Sequence, residues 1–232
     1  ELLTSAKDAL MKKKILFNNI DISFTDILKN KVIQIKNNEY KFKHLILCLG
    51  KNFSNQKIIS KHTFVGNHKS YVGFFKHTYH HSQTAYEIFT PNGPLAILPA
   101  PSKSKKVSTF IFSSNQKTSY ENIKTLIKKK FNASHGKLVF DKESYQFEIL
   151  PHLSKPKSHQ FFLIGDALRS IHPVAGQGWN LGIKDIQQLM KLLDSYELDD
   201  PNLLRKYYNN RSIESFSYLS FTNLLNPLYE NQ

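Results

Sequence analysis

The sequence predicts an α/β fold in which a layered α/β unit is interrupted by an antiparallel sheet. Two continuous apolar runs, residues 44–50 and 161–164, each meet a glycine, Gly50 or Gly165, as expected of strands buried on both faces of a layered sheet. Between them, residues 71–113 turn aromatic and alternating, the pattern of a sheet with one face in water. Around both lie segments whose apolar residues recur every three or four positions, the period of helices.

Taken in order, Leu2, Leu3, Ala6, Leu10 and Met11 predict an amphipathic helix over residues 1–14, closed by lysines that suit its C-terminal dipole. Residues 15–17, 20–24, 32–35 and 40–49 then read as a strand meander, with residues 36–39 as a turn. Strands are expected at 71–75, 84–89, 94–98 and 107–112, separated by Pro91-Asn92-Gly93 and by the polar stretch 99–106. Ile123, Leu126, Ile127 and Phe131 mark a helix over 120–131 whose other face is lysine-rich. The break at Leu150-Pro151 precedes the return of the layered unit, and a last helix is expected over 212–225.

Composition narrows the function. A chain of 232 residues with 40% apolar residues can build a core, and no run approaches the roughly 20 apolar residues of a membrane-spanning helix. One cysteine, Cys48, excludes an internal disulfide framework and suits a reducing, cytoplasmic setting. The net charge of +14 raises nucleic acid as a partner, but 29 of the 32 basic residues are lysines, spread along the chain, where the arginine fork would be favoured. No nucleic-acid partner is expected, while attraction to an anionic membrane surface remains open. The chain opens on Glu1 rather than methionine, and truncation at both ends is expected.

Residues 161–193 carry the chemistry. Asp166 emerges where the strand 161–164 ends, and ligands of open α/β sheets bind outside such carboxyl ends, so its carboxylate can accept hydrogen bonds from the hydroxyls of a sugar or ribityl chain. The loop beyond holds Pro173, Gly176 and Gly178, which stiffen one point and free two others for close backbone approach. Ile183, Ile186, Leu189, Met190 and Leu193 then predict a helix beginning near Asn180, whose free N–H groups face back to the loop and could stabilise an anion.

Gly165-Asp166-Ala167, Pro173, Gly176-Gln177-Gly178, Asn180, Gly182 and Asp185 together resemble the second flavin-binding motif of the ubiquinone-biosynthesis hydroxylases, within the para-hydroxybenzoate hydroxylase-like flavoproteins. The stretches 85–89 and 93–99 resemble the substrate-domain strand pair of the same group. The resemblance implies a para-hydroxybenzoate hydroxylase-like fold: an incomplete FAD-binding domain in residues 1–62 and 151–200, a substrate domain at 63–150 and a C-terminal helix at 201–232. It implies FAD as cofactor, with Asp166 on the ribityl chain, Gly165 permitting its approach, Gly176, Gln177, Gly178 and Asn180 lining the isoalloxazine, and Pro173 on its face. It implies NAD(P)H as electron donor, a polyprenylated phenol as substrate, and peripheral association with the inner face of a membrane within a quinone-synthesis assembly. The chemistry is the cofactor's, so no residue is assigned as acid or base.

The chain departs from the family in four places. It has no Gly-x-Gly-x-x-Gly turn for the FAD pyrophosphate, Leu49-Gly50 stands for an Asp-Gly pair, Arg169 for a histidine, and Leu168 for a small residue. Other readings stay open beside the hydroxylase: a non-catalytic accessory protein of quinone synthesis, or a flavin hydroxylase of a soluble aromatic.

Further residues invite functions that simpler roles can meet. His77, His80 and His81 lack a nearby cysteine or carboxylate to complete a tetrahedral set, so no metal is expected. His172 can touch a ligand or be satisfied by backbone groups. Tyr71, Phe74, Phe75, Tyr79, Tyr86 and Phe89 can wall a substrate or fill the sheet core, and Tyr207, Tyr208, Phe216, Tyr218, Phe221 and Leu224 can dock on a membrane or pack on the flavin domain.

Overall fold

The computed structural model describes residues 2–12, 24–35, 38–53, 57–64, 68–100, 102–157, 160–173, 176–197 and 200–230. The chain divides into two compact units, Glu1–Leu45 and Ile46–Gln232. The first holds helices α1 (Leu2–Lys12) and α2 (Phe24–Asn30) and the antiparallel pair β1 (Val32–Ile35) and β2 (Asn38–Lys41). Phe24, expected in a strand, opens α2 instead, and Ile27 and Leu28, one turn on, are buried. The other expected strands at 15–17 and 20–23 lie outside the described residues.

Strand β3 (Leu45–Leu47) reaches the second unit, which continues with β4 (Ile59–Thr63), β5 (His68–His77), β6 (Tyr86–Thr90), β7 (Gly93–Pro99), β8 (Val107–Ser114), α3 (Tyr120–His135), β9 (Leu138–Phe140) and β10 (Tyr145–Ile149). After these come β11 (His152–Pro156), β12 (Phe161–Leu163), a 3-10 turn (Gly165–Ala167), β13 (Arg169–Ser170), α4 (Gly178–Leu193) and α5 (Pro201–Glu230). Strands β5 to β10 make one antiparallel sheet in the order β10-β5-β8-β7-β6, with β9 also pairing β5. β5 spans two neighbours on one edge because it is ten residues long: its start pairs β10 and its end pairs β9.

Alternation buries one face of this sheet under α3. Phe75, Leu95, Ile97 and Phe110 meet Ile123, Ile127 and Phe131, spaced four apart along α3. α3 starts where the Ser119 hydroxyl accepts the Asn122 N–H and stops at Gly136, which has φ +74°. Tyr71 and Phe75 sit in this core and Tyr86 packs against it, whereas Tyr79 and Phe89 are exposed. His77 and His81 are buried beside His135 of α3, the His77 and His135 rings lying 4.8 Å apart.

Chain on either side of that sheet meets in another. β4 and β13 flank β11 in a three-stranded antiparallel sheet, so residues before β5 pair with residues after β10. β12 lies beside β3, with the Ile164 N–H donating to the Leu47 carbonyl at 3.1 Å.

The run 44–50 departs from its expected double burial. Leu47 is buried, but Ile46, Cys48 and Leu49 are exposed, because β12 is the one partner of β3 among the described residues. α4 differs in a similar way. It starts at Gly178, and its buried face is Leu181, Asp185, Leu189 and Leu192, leaving Ile183, Ile186, Met190 and Leu193 exposed. Among the described residues no helix is long and apolar enough to cross a membrane.

A glycine-lined candidate flavin site

β12 is buried throughout and delivers the chain to Gly165, which takes φ +63°, a left-handed conformation that a residue with a Cβ adopts only with strain. The 3-10 turn that follows closes with the Leu168 N–H on the Gly165 carbonyl at 2.9 Å. Asp166 is exposed at this turn, while Ala167, Leu168 and Arg169 after it are buried. The turn presents a carboxylate to solvent from a rigid base.

The base is built from side chains outside the motif. His152, fully buried on β11, places Nε2 3.0 Å from the Asp166 carbonyl and Nδ1 3.1 Å from that of Leu150. Burial, with Lys61 nearby, pushes its pKa below the usual range despite those two carbonyls, so the ring is neutral and donates to one of them at a time. Asp185 on α4 accepts the Gly165 N–H at 2.9 Å. A Cβ placed on Gly182 would stand 3.7 Å from the Gly165 Cα, so α4 passes the turn in close contact.

The remaining predicted residues occupy the loop into α4. The Gly176 N–H donates to the Pro173 carbonyl at 2.9 Å, and Gly176 has φ +59°. Gln177 precedes the helix and offers no side-chain cap to its first N–H groups; its amide oxygen accepts instead from the Asn180 side chain at 3.0 Å. Pro173, Gly176, Gly178 and Asn180 are exposed, Gln177 half-buried, and a Cβ added at Gly165, Gly176 or Gly178 would meet nothing within 4 Å. Three glycines thus border open space beside an exposed carboxylate and an uncapped helix start, a surface that fits a large planar group bearing hydroxyls and developing negative charge.

His172 is buried at the loop's entrance, its ring 5.1 Å from that of His68 and nearly perpendicular to it. Burial, reinforced by His68, pushes its pKa down to about 4, so it is neutral at neutral pH. Sequence reasoning missed His152 and Arg211 as supports of the turn. Asp185 carried a readable signal, a carboxylate on the helix stripe that otherwise holds Leu181, Leu189 and Leu192.

A 3-10 turn opened by left-handed Gly165 at a strand's carboxyl end, feeding a glycine loop and a helix start, lies where α/β proteins bind their ligands. Residues 48–216 match the family model described as FAD binding domain, and the chain belongs to that family. It is similar to ubiquinone hydroxylase UbiL of Rhodospirillum rubrum, 29% identical over 170 residues that cover 67% of this chain and 39% of the relative. Ubiquinone hydroxylase UbiM of Neisseria meningitidis is 27% identical over 172 residues, 70% of this chain and 37% of the relative. The chain therefore spans less than two fifths of the length of these curated relatives.

Among solved structures, p-nitrophenol 4-monooxygenase PnpA from Pseudomonas putida superposes with a TM-score of 0.61 at 12% identity, covering 81% of this chain and 50% of that one. The flavin-dependent halogenase CmlS gives 0.61 at 16%, covering 82% and 40%. The fold is the para-hydroxybenzoate hydroxylase-like flavoprotein fold that the sequence predicts.

Proposed function

We propose that the whole protein is an FAD-dependent monooxygenase that hydroxylates the aromatic ring of a polyprenylated phenol in ubiquinone biosynthesis. The observation that carries this reading is the exposed Asp166 carboxylate beside open space bordered by Gly165, Gly176 and Gly178. Similarity to two ubiquinone hydroxylases supports the substrate class. In this reading Asp166 holds ribityl hydroxyls, Gly165 lets that chain approach, and Gly176, Gln177, Gly178 and Asn180 line the isoalloxazine, with Pro173 against its face. The uncapped N–H groups at the start of α4 stabilise negative charge on the ring system.

Bound FAD would supply the oxygen chemistry, in which NAD(P)H, O₂, a proton and the phenol give the hydroxylated phenol, water and NAD(P)⁺. The chain's own residues position the ring and exclude water. In the same reading, residues 1–62 and 151–200 belong to the flavin domain, 63–150 form the substrate domain, and 201–232 close the fold. The excess of lysines favours a peripheral position on the inner, anionic face of a membrane, where a prenylated substrate resides.

The test is the absorbance spectrum of purified full-length protein and of its Asp166→Ala variant. A flavin spectrum in the parent that weakens at least tenfold in the variant's FAD affinity supports the site, and hydroxylation assays with prenylated phenols then test the substrate. A colourless parent that takes up no added FAD overturns the reading. Leu49, exposed where the resemblance would place the aspartate of an Asp-Gly pair, would then favour a non-catalytic accessory role.

A further inference from the structure

Four donors converge on one carboxylate beneath the candidate flavin turn. Asp185 Oδ2 accepts the backbone N–H of Gly165 at 2.9 Å and Arg169 Nη1 at 3.2 Å. Its Oδ1 accepts Arg169 Nη2 at 2.6 Å and Arg211 Nε at 2.7 Å. Asp185 and both arginines are buried. The donors come from three places in the chain: the 3-10 turn after β12, β13 and α5. Arg169 Nη2 also donates to the Leu181 carbonyl at 3.1 Å, and Arg211 pairs with Glu214, which Lys184 holds at 2.9 Å.

This arrangement does more than neutralise charge. A buried ion pair contributes little net stability against an apolar replacement, but removing one partner leaves the other charge exposed to the low dielectric of the interior. Here the carboxylate faces two guanidinium groups, and among the described residues Arg169 Nε and Arg211 Nη2 have no hydrogen-bond partner. Asp185 is thus the one acceptor that the two arginines share among the described residues. Its fourth bond falls on the amide of Gly165, the residue that holds φ +63° and starts the turn bearing Asp166. Gly182, three residues earlier on the same helix face, brings α4 against the Gly165 Cα.

We infer that Asp185 is a positioning residue for flavin: with Arg169 and Arg211 it locks the Gly165-Asp166 turn against α4 and α5, so that the Asp166 carboxylate and the helix start keep one spacing. The inference rests on the flavin reading of this site. Asp185 itself touches no cofactor in this scheme.

Its test uses full-length protein with Asp185→Asn, which keeps the shape and one acceptor but removes the charge. Phe110→Ala, a truncation in the core of the six-stranded sheet, serves as a control for lowered stability. Asp185→Asn should raise the FAD dissociation constant at least tenfold, weaken the visible circular dichroism of the remaining bound flavin, and speed amide exchange in a peptide containing Gly165 in the flavin-free protein. Phe110→Ala, with a comparable or larger fall in melting temperature, should leave FAD affinity within threefold of the parent.

Where Asp185→Asn does not fold, Arg169→Gln, which frees one side of the carboxylate, should give the same changes in smaller degree. Equal loss of FAD affinity in Phe110→Ala, or unchanged affinity and exchange in the Asp185 and Arg169 variants, overturns the positioning role. Asp166→Ala losing flavin while Asp185→Asn retains it overturns that role alone. A parent that takes up no FAD overturns the site reading and the positioning role with it.

Discussion

The Tyr208 hydroxyl accepts the backbone N–H of Leu163 at 2.8 Å and donates to the Phe161 carbonyl at 3.0 Å, so a helix side chain completes the edge of a strand. Tyr207, next to it, donates to the Leu163 carbonyl at 2.9 Å. Strand geometry explains why two phenols suffice. Backbone groups of alternate residues point to opposite edges; Ile164 faces β3, while Phe161 and Leu163 face α5. Among the described residues no strand lies on that edge, so without the phenols those buried polar groups would have no partners there. Burial first, with the Asp185 charge also contributing, raises the pKa of both phenols, so they remain neutral donors through the accessible pH range.

Removing these hydroxyls should therefore have unequal effects. Tyr208→Phe strands one donor and one acceptor of β12 and should destabilise by about 2–4 kcal/mol, whereas Tyr207→Phe strands one acceptor and should cost about 1–2 kcal/mol. Urea denaturation of the two variants and the parent measures both values. Equal small losses would show that water replaces the phenols and that α5 is not the partner of this strand edge.

Two glycines with positive φ should respond to alanine in one order for stability and in the reverse order for FAD affinity. At Gly93 a Cβ would lie 1.9 Å from the Ser113 carbonyl oxygen, so Gly93→Ala must push β7 from β8 and should lower stability by about 3 kcal/mol. At Gly165 the space is open, so Gly165→Ala carries the left-handed strain alone, about 1–2 kcal/mol. FAD affinity should reverse the order: about tenfold weaker in Gly165→Ala and little changed in folded Gly93→Ala. Thermal denaturation beside flavin titration separates the two; flavin affinity untouched by a methyl at Gly165 would show that the ligand does not approach its backbone.

The contrast shows what was legible in the sequence. The loop glycines, Asp166 and the strand 161–164 could be read because local chemistry determines them: a continuous apolar run, residues with special backbone freedom, and a carboxylate at the strand's end. Alternation likewise located β5, β7 and β8 to within a few residues. The supports of the turn were hidden because they are long-range. Nothing near Tyr208 or Arg211 in sequence says that they meet residues more than twenty positions away. β10 carried a strand signal that went unused, since Tyr145, Phe147 and Ile149 alternate with Gln146 and Glu148; in the structure it pairs with β5, with Ile149 alone of the five buried. The run 44–50 misled in the opposite sense, since apolarity reports what a strand is suited to bury and not which neighbours it has.

Acid should weaken the fold through buried histidines. Burial holds His172 at about 4, and burial also lowers His77 and His135, which lie within one aromatic core. A histidine whose folded pKa is depressed binds fewer protons folded than unfolded between the two values. The stability is fully present above the unfolded value near 6.5 and is lost as pH falls from there toward about 4 for His172. At about 1.4 kcal/mol per pKa unit, His172 alone should account for roughly 3 kcal/mol of that loss. Urea denaturation at pH 7.5, 6.0 and about 4.5 should show a steeper fall in the parent than in His172→Gln, whose uncharged side chain has no proton to gain. The difference should grow through the window and not above pH 7. Parallel curves for the two proteins would mean that protonating His172 costs the fold nothing and that burial does not hold its ring neutral.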